Sequence, residues 1–116
     1  MTLDTVRRLC LALPGTEERL SHGEPTFFTG GKVFVMFANN HHGDGRVAVW
    51  LPVPSGLQPG LIAGDPERYF HPPYVGVRGW VGIVLAGLGE GTLAHHIGTA
   101  HELVTPRKKP PRAKRG

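Results

Sequence analysis

Apolar residues at the two ends of the chain recur at intervals of three and four positions, the spacing of an amphipathic helix. Residues 3–13 follow this spacing until Pro14-Gly15 interrupts it. Residues 92–104 follow it again, and the pair Thr105-Pro106 ends the run because a residue before proline is pushed out of the helical region. The pattern therefore predicts an N-terminal and a C-terminal helix.

The middle of the chain carries shorter runs rich in β-branched and aromatic residues. They predict strands over residues 26–29, 32–38 and 46–51, in an antiparallel meander. Gly30-Gly31 separates the first two strands and is a two-residue hairpin turn, since glycine adopts positive φ without steric cost. Residues 16–25 are polar and are interpreted as a connector.

Prolines break up residues 52–73 and leave room only for short helical turns. One turn is predicted near residues 57–63 and another beginning at Asp65-Pro66, where Asp caps and Pro occupies the first helical position. Strand character returns over residues 74–77 and 80–85. Separate helical and strand runs without βαβ alternation indicate an α+β, two-layer domain in which an antiparallel sheet packs against the N- and C-terminal helices.

Charge is distributed unevenly along the 116 residues, a length that suits one domain. Thirteen Lys and Arg against nine Asp and Glu give a formal net charge of +4. Six of the thirteen lie beyond Pro106, which leaves a body with seven basic and nine acidic residues. We therefore divide the chain into a domain over residues 1–105 and a basic, proline-rich tail over residues 106–116, which we expect to be disordered.

Two features of the chain indicate a cytoplasmic protein. The apolar stretch at the N-terminus is interrupted by charged residues, unlike a secretory signal, and no apolar run is long enough to span a membrane. Cys10 has no second cysteine to pair with and falls in step with the apolar positions of the first helix. We expect a reduced, buried thiol.

Several short segments resemble the MmcQ/YjbR family of DNA-binding proteins, and the resemblance covers roughly residues 3–105. The segments are Leu13-Pro14-Gly15, Gly31-Lys32-Val33-Phe34, Trp50-Leu51, Tyr74-Val75-Gly76 and Gly79-Trp80-Val81-Gly82. The glycine–tryptophan segment, followed by a terminal helix that ends in a basic stretch, is the most specific part.

The resemblance implies an α-β-β-β-α-β-β-α domain likened to the CyaY and type III secretion-chaperone folds. It also implies DNA binding through a double-wing surface, although fold by itself does not fix function. The chain departs from the family pattern before its last helix, where a loop that is often acidic reads AGLGEG. That helix also carries three histidines, so the contacts that family members make through this helix are not carried over to this chain.

Three basic residues beside predicted hairpin turns are candidate phosphate contacts: Lys32, Arg46 and Arg78. Phosphate contacts supply most of the non-specific affinity for nucleic acid. The alternative is ordinary solvated charge that guards strand edges against aggregation. Trp80 is a candidate for stacking on a base. Its alternative role, which we favour, is to pack the start of a strand against the helices.

The tail offers a sequence-independent phosphate-binding arm. Its basic residues are Arg107, Lys108, Lys109, Arg112, Lys114 and Arg115. Three prolines keep the segment extended, and no base-reading side chain is positioned there by a fold. The alternative is a solubilising extension.

Metal, cofactor and enzymatic functions find little support in the sequence. His41-His42 with Asp44 and the pair His95-His96 are the only clusters that suggest a metal, and neither belongs to an HExxH motif or a cysteine pair. Neighbouring positions on a helix point to different faces, so His95 and His96 do not share a metal readily. The two serines lie outside any nucleophile elbow. We expect no metal, no cofactor and no catalysis.

The sequence thus predicts a non-enzymatic protein that binds DNA without sequence specificity through turn-borne basic residues and the tail. The alternative is a protein-interaction or chaperone-like module with no nucleic-acid role. A body with more acidic than basic residues favours this alternative, whereas the tail favours the first.

Overall fold

The computed structural model describes residues 2–40, 43 and 45–105 and confirms the α+β class. One six-stranded antiparallel sheet, in the order β1-β2-β3-β4-β6-β5, packs against the two terminal helices. The elements are α1 (Leu3–Leu11), β1 (Thr16–Ser21), β2 (Glu24–Thr29), β3 (Lys32–Asn39), β4 (Val47–Leu51), α2 (Gln58–Gly64), β5 (Tyr69–Phe70), β6 (Val81–Val84) and α3 (Glu90–Val104). A single 3₁₀ turn spans Gly76–Arg78. Within the described ranges, no helix combines the length and the apolar character required to cross a membrane.

The predicted meander β2-β3-β4 is confirmed, but the interpretation of residues 16–25 as a connector is wrong. Gly30 and Gly31 have φ of 58° and 80° and turn β2 into β3 as expected. A second two-residue turn, His22-Gly23, has φ of 53° and 82° and joins β2 to an additional edge strand, β1. Its sequence TEERLS carries charged residues in place of apolar alternation, as is common in edge strands, and Glu18 is half-buried against α1.

A β-bulge in β3 decides how much of this strand faces the helices. Phe27 pairs with Val35 and Phe28 with Val33, so Phe34 is an extra residue in the ladder. The bulge turns Phe34 and Val35, adjacent in sequence, toward the same side, and both are fully buried in the main core. The strand thereby fills the space beneath α3 with one more side chain than strict alternation allows.

The main core lies between α1, α3 and one side of the sheet, which we call the helix face. Its buried members are Val6, Cys10, Phe27, Phe34, Val35, Phe37, Val49, Leu51, Val53, Val81, Ile83, Leu85, Leu93, Ile97 and Ala100. The predicted burial of Cys10 is confirmed, and burial raises the pKa of its thiol above the usual range. At the end of α3, His101 Nε2 lies 2.8 Å from the carbonyl oxygen of Pro14 and links the two helical ends.

The opposite side of the sheet, which we call the open face, carries a second cluster separate from the core beneath α1 and α3. The cross-strand pairs Met36–Trp50, Trp50–Gly82 and Gly82–Phe70 align on this side. They form this cluster, whose buried members are Ala38, Ala48, Trp50, Phe70 and Trp80. The ring of Phe70 lies directly over Gly82, where an added Cβ would overlap three of its ring atoms.

The segment between α2 and β6 differs from the sequence prediction. Residues 74–77 do not form a strand: Pro72 and Pro73 precede a tight reversal that continues into the 3₁₀ turn. Asp65-Pro66 begins a short helical turn, as predicted, in which the amide of Tyr69 donates to the Asp65 carbonyl at 2.9 Å. A two-residue strand, β5, follows that turn.

The first prediction concerns the ion pair between α1 and β1. Arg7 donates through Nε and Nη2 to the two carboxylate oxygens of Glu18, at 2.7 and 2.9 Å. These hydrogen bonds, with the charge of Arg7, lower the pKa of Glu18. A carboxylate whose pKa is lowered on folding stabilises the protein above its unfolded pKa, and the contribution is lost as the pH falls through the folded value.

Glu18→Gln should therefore lower the free energy of unfolding at neutral pH, and the difference from the unsubstituted protein should disappear in acid. Urea unfolding at a series of pH values measures this. Glu17→Gln is the matched control, since its partner Arg19 lies on the same strand and both side chains are more exposed. A pH-independent deficit for Glu18→Gln would contradict the assignment.

The second prediction concerns Gly82. Because the ring of Phe70 occupies the space of the missing Cβ, Gly82→Ala should lower the free energy of unfolding by about 1–3 kcal/mol, the usual cost of overpacking. Gly98→Ala is the control, since nothing lies within 4 Å of its added Cβ and alanine favours the helix. It should be neutral or stabilising in the same unfolding experiment. Equal effects of the two substitutions would show that Phe70 moves aside freely.

Candidate functional site

A groove runs along β3 on the open face, for roughly 20 Å between Lys32 and Ala38. Ala38 and Trp50 lie at its floor. One wall is the turn at His22, and the other is formed by Tyr74 and Val75. We call this part the apolar half; it encloses about 500 Å³.

The segment 71–80 that forms the second wall is held in place by hydrogen bonds and by close packing. Gln58, at the start of α2, donates through Nε2 to the carbonyl oxygens of Gly76 and Trp80, at 2.8 and 2.6 Å. The ring of His71 packs where a side chain at Gly76 would lie. Gly79 has φ of 90° and returns the chain to β6. The wall is therefore attached to α2 and to the sheet at both ends.

The other part of the groove, which we call the cationic half, is lined by Lys32, Val33, Arg78 and Trp80 and encloses about 520 Å³. The two halves adjoin, because both linings include Ser21, His22, Met36 and Val75. Lys32 and Arg78 are 46 positions apart in the sequence. The fold brings them to one end of the groove because β3 and β6 run in the same direction on either side of β4, so both strands start at the same end of the sheet.

Trp80 is 5% exposed, which supports a packing role, but on the side of the sheet opposite to the one expected. It belongs to the open-face cluster and does not contact the helices' core. The guanidinium carbon of Arg78 lies 5.6 Å from the centre of its ring. A ligand that approaches this position therefore meets Arg78 before it meets the indole.

Arg46 does not join Lys32 and Arg78. It precedes β4, and its carbonyl accepts from the amide of Asn40, beyond the far end of β3. Roughly 25 Å of strand separates it from Lys32. Its guanidinium lies 4.1 Å from the centre of the Phe70 ring, on the open face. Lys32 and Arg78 therefore line one groove whereas Arg46 stands over Phe70, and phosphate contact by the three residues stays a prediction.

Sequence reasoning missed two features of the open face. Arg19 lies on the unpredicted strand β1, and its guanidinium stacks 4.6 Å from the centre of the Phe28 ring. Tyr74, interpreted as a strand residue, is instead a largely exposed wall of the groove. The exposed arginine in TEERLS and the Pro-Pro-Tyr sequence were the signals that could have indicated them.

Ion pairs neutralise most of the other cations on the body. Arg7 pairs with Asp4 and Glu18, Arg8 with Glu90, and Arg19 with Glu17. Arg68 donates to the carbonyl oxygens of Val84 and Ala86. By contrast, neither Lys32 nor Arg78 forms an ion pair with any carboxylate that the structure describes, and both side chains are exposed.

The six basic residues predicted in the tail lie outside the described residues, as does the predicted disorder there. Their point of attachment is described, however. Val104, the last residue of α3, lines the cationic half of the groove together with Lys32 and Arg78. With about 3.8 Å between successive Cα atoms, the tail begins beside these two cations.

The histidines fall into different environments. His41, His42 and Asp44 lie outside the described residues. The hydroxyl of Tyr69 and Nε2 of His96 are 3.0 Å apart, and burial, together with the charge of neighbouring His95, lowers the pKa of His96. Among the residues that the structure describes, no three His, Cys, Asp or Glu side chains converge in a way that could hold a metal ion.

A family model for YjbR matches residues 11–103, which is most of the chain and includes the whole sheet and nearly all of α3. The chain belongs to the YjbR family. The resemblance seen in the glycine–tryptophan segment is thereby confirmed. The segment that carried the resemblance, residues 74–82, forms part of the second wall of the groove and the start of β6.

The YjbR fold is also seen in a solved structure. The crystal structure of Deinococcus radiodurans protein DR2400, which has a DUF419 domain, superposes with a TM-score of 0.76 at 19% sequence identity. The match covers 89% of this chain and 78% of that chain. At this identity the likeness shows the fold alone. No curated protein matches the chain.

Proposed function

We propose that this YjbR protein binds nucleic acid without sequence preference, as a non-enzymatic protein of the cytoplasm. Lys32 and Arg78 contact phosphates at the cationic half of the groove, and the tail adds electrostatic affinity. Arg46 contributes from the open face, where its guanidinium stands over the ring of Phe70.

One observation carries the proposal: the exposed cations without a carboxylate partner and the start of the basic tail lie at the same end of one groove. Four of the nine acidic residues pair with Arg7, Arg8 and Arg19, away from the cationic half, and the lining of that half contains no carboxylate among the described residues. The potential at a surface depends on the charges near it and falls off within about 10 Å at ordinary salt. The cationic half is therefore attractive to phosphate despite the composition of the body.

The third prediction tests these two residues. Lys32→Gln and Arg78→Gln should each weaken binding of the full chain to a short labelled DNA duplex. Each should also reduce the slope of log affinity against log salt by about one, because each removes one phosphate contact. Fluorescence anisotropy between roughly 50 and 200 mM salt measures both quantities.

Arg8→Gln is the matched control for charge. It removes one exposed arginine from α1, on the helix side, and should leave affinity and slope nearly unchanged. If Arg8→Gln acts like Arg78→Gln, only the net charge matters and the groove is not the site. Absence of binding by the full chain at low salt, to the duplex and to its separate strands alike, would refute the proposed function.

The fourth prediction tests the tail. Deletion of residues 106–116 should reduce the salt slope by up to about five, since six basic residues are removed and each phosphate neutralised contributes about 0.9. Replacement of the six basic residues by glutamine, at constant length, should have the same effect. A slope unchanged by both variants would remove the tail from the proposal.

The apolar half of the groove and the exposed side chains of Val77 and Leu20 favour a second candidate, a protein-interaction module. Contacts of this kind depend on apolar burial and respond weakly to salt. A partner that binds the tail-deleted chain as tightly as the full chain, with affinity independent of salt, would favour this function. Loss of binding on tail deletion favours nucleic acid.

A further inference from the structure

The two halves of the groove differ in chemistry: one is apolar and the other carries positive charge. A nucleotide likewise joins a flat base to a negatively charged phosphate. The apolar half presents Met36, Trp50 and Tyr74, whereas the cationic half presents Lys32 and Arg78. We propose that the groove is a site for single-stranded nucleic acid, in which an unpaired base packs in the apolar half while its phosphates lie in the cationic half. The inference rests on the proposed function and specifies the ligand of the same site.

Tyr74 is the residue that points most directly to a ligand. Its φ of 65° is in the left-handed region, which an aromatic residue rarely adopts, and its side chain is 72% exposed. A residue in this conformation is held there by its surroundings, and such residues are concentrated at binding sites. Here the surroundings are the reversal after Pro72 and the anchored 3₁₀ turn. The phenol ring is thereby placed at the wall of the groove, on a residue that is largely exposed.

Glu24 restricts where phosphates can lie. It lines the apolar half, and its Oε2 accepts a hydrogen bond from the amide of Asn39 at 3.1 Å. A carboxylate repels phosphate, so the backbone of a bound strand is confined to the end with Lys32 and Arg78. The same carboxylate accepts hydrogen bonds from the exocyclic amino groups of bases. The charges of the groove therefore match a base at one end and phosphates at the other.

A duplex does not use this arrangement. Its bases are paired and stacked, so no base face is free to contact Tyr74, and its phosphates lie on the outside where they meet both halves. Single strands expose the faces of their bases, and stacking on aromatic side chains is the usual way in which proteins hold them. We expect the groove to favour a single strand over the duplex of the same sequence.

The fifth prediction compares a labelled single strand of mixed sequence with the duplex that contains it, by anisotropy with the full chain. Tyr74→Ala should weaken single-strand binding by about tenfold, the usual value of one stacked base, and change duplex binding less than twofold. Tyr74→Phe keeps the ring and should keep the affinity. Val77→Ala, in the same segment, outside the groove and 85% exposed, is the control and should bind like the unsubstituted chain.

Tyr74→Gly provides a second variant if the alanine variant is unstable, because glycine adopts φ of 65° without strain. It should keep the Tm and lose single-strand affinity. Equal binding of both nucleic acids, with no effect of Tyr74, overturns the single-strand site and leaves the proposed function intact. No binding of either nucleic acid refutes both. Binding of an apolar labelled peptide that depends on Tyr74, without strand binding, overturns the site in favour of a protein partner.

Discussion

The ring of Phe70 lies on the backbone of Gly82, and the architecture of the open face depends on this contact. Two terminal helices cover only one side of a six-stranded sheet, so the other side has to be closed by its own side chains and by a connection. Phe70 closes the edge near β5, with the guanidinium of Arg46 above it. Trp50 and Trp80 cover the neighbouring part of the open face. The segment 71–80 extends over this face as far as Tyr74. What stays uncovered is the groove.

Large aromatic side chains allow this short chain to build a buried cluster on each side of the sheet, because each ring covers more of the sheet than an aliphatic side chain does. The bulge at Phe34 has the matching effect on the helix face, where it turns an extra ring beneath α3. Glycine is then required wherever a ring contacts backbone, at Gly82 beneath Phe70 and at Gly76 against His71. These glycines belong to the segment in which the family resemblance is strongest.

The terminal helices and the hairpin at Gly30-Gly31 were predictable because local spacing and turn chemistry specify them without help from the rest of the chain. The strand β1 was not predictable from its own residues, since its polar sequence carries no apolar alternation. The His22-Gly23 turn that follows it was a usable signal, because histidine tolerates positive φ more readily than most residues. Residues 74–77 have strand composition, but the prolines before them and the anchor at Gln58 decide their conformation. That anchor is a tertiary contact, which composition does not show.

The candidate site was predictable only in part, for the same reason. Lys32 and Arg78 could be proposed one by one from their places beside turns, but their meeting depends on how β6 is placed relative to β3. The acidic count of the body seemed to oppose nucleic-acid binding. In the structure four of the nine acidic residues pair with Arg7, Arg8 and Arg19, whereas Lys32 and Arg78 stand at one end of the groove with no ion pair among the described residues. Attraction of phosphate depends on the second set, and the chain adds its basic tail at that end.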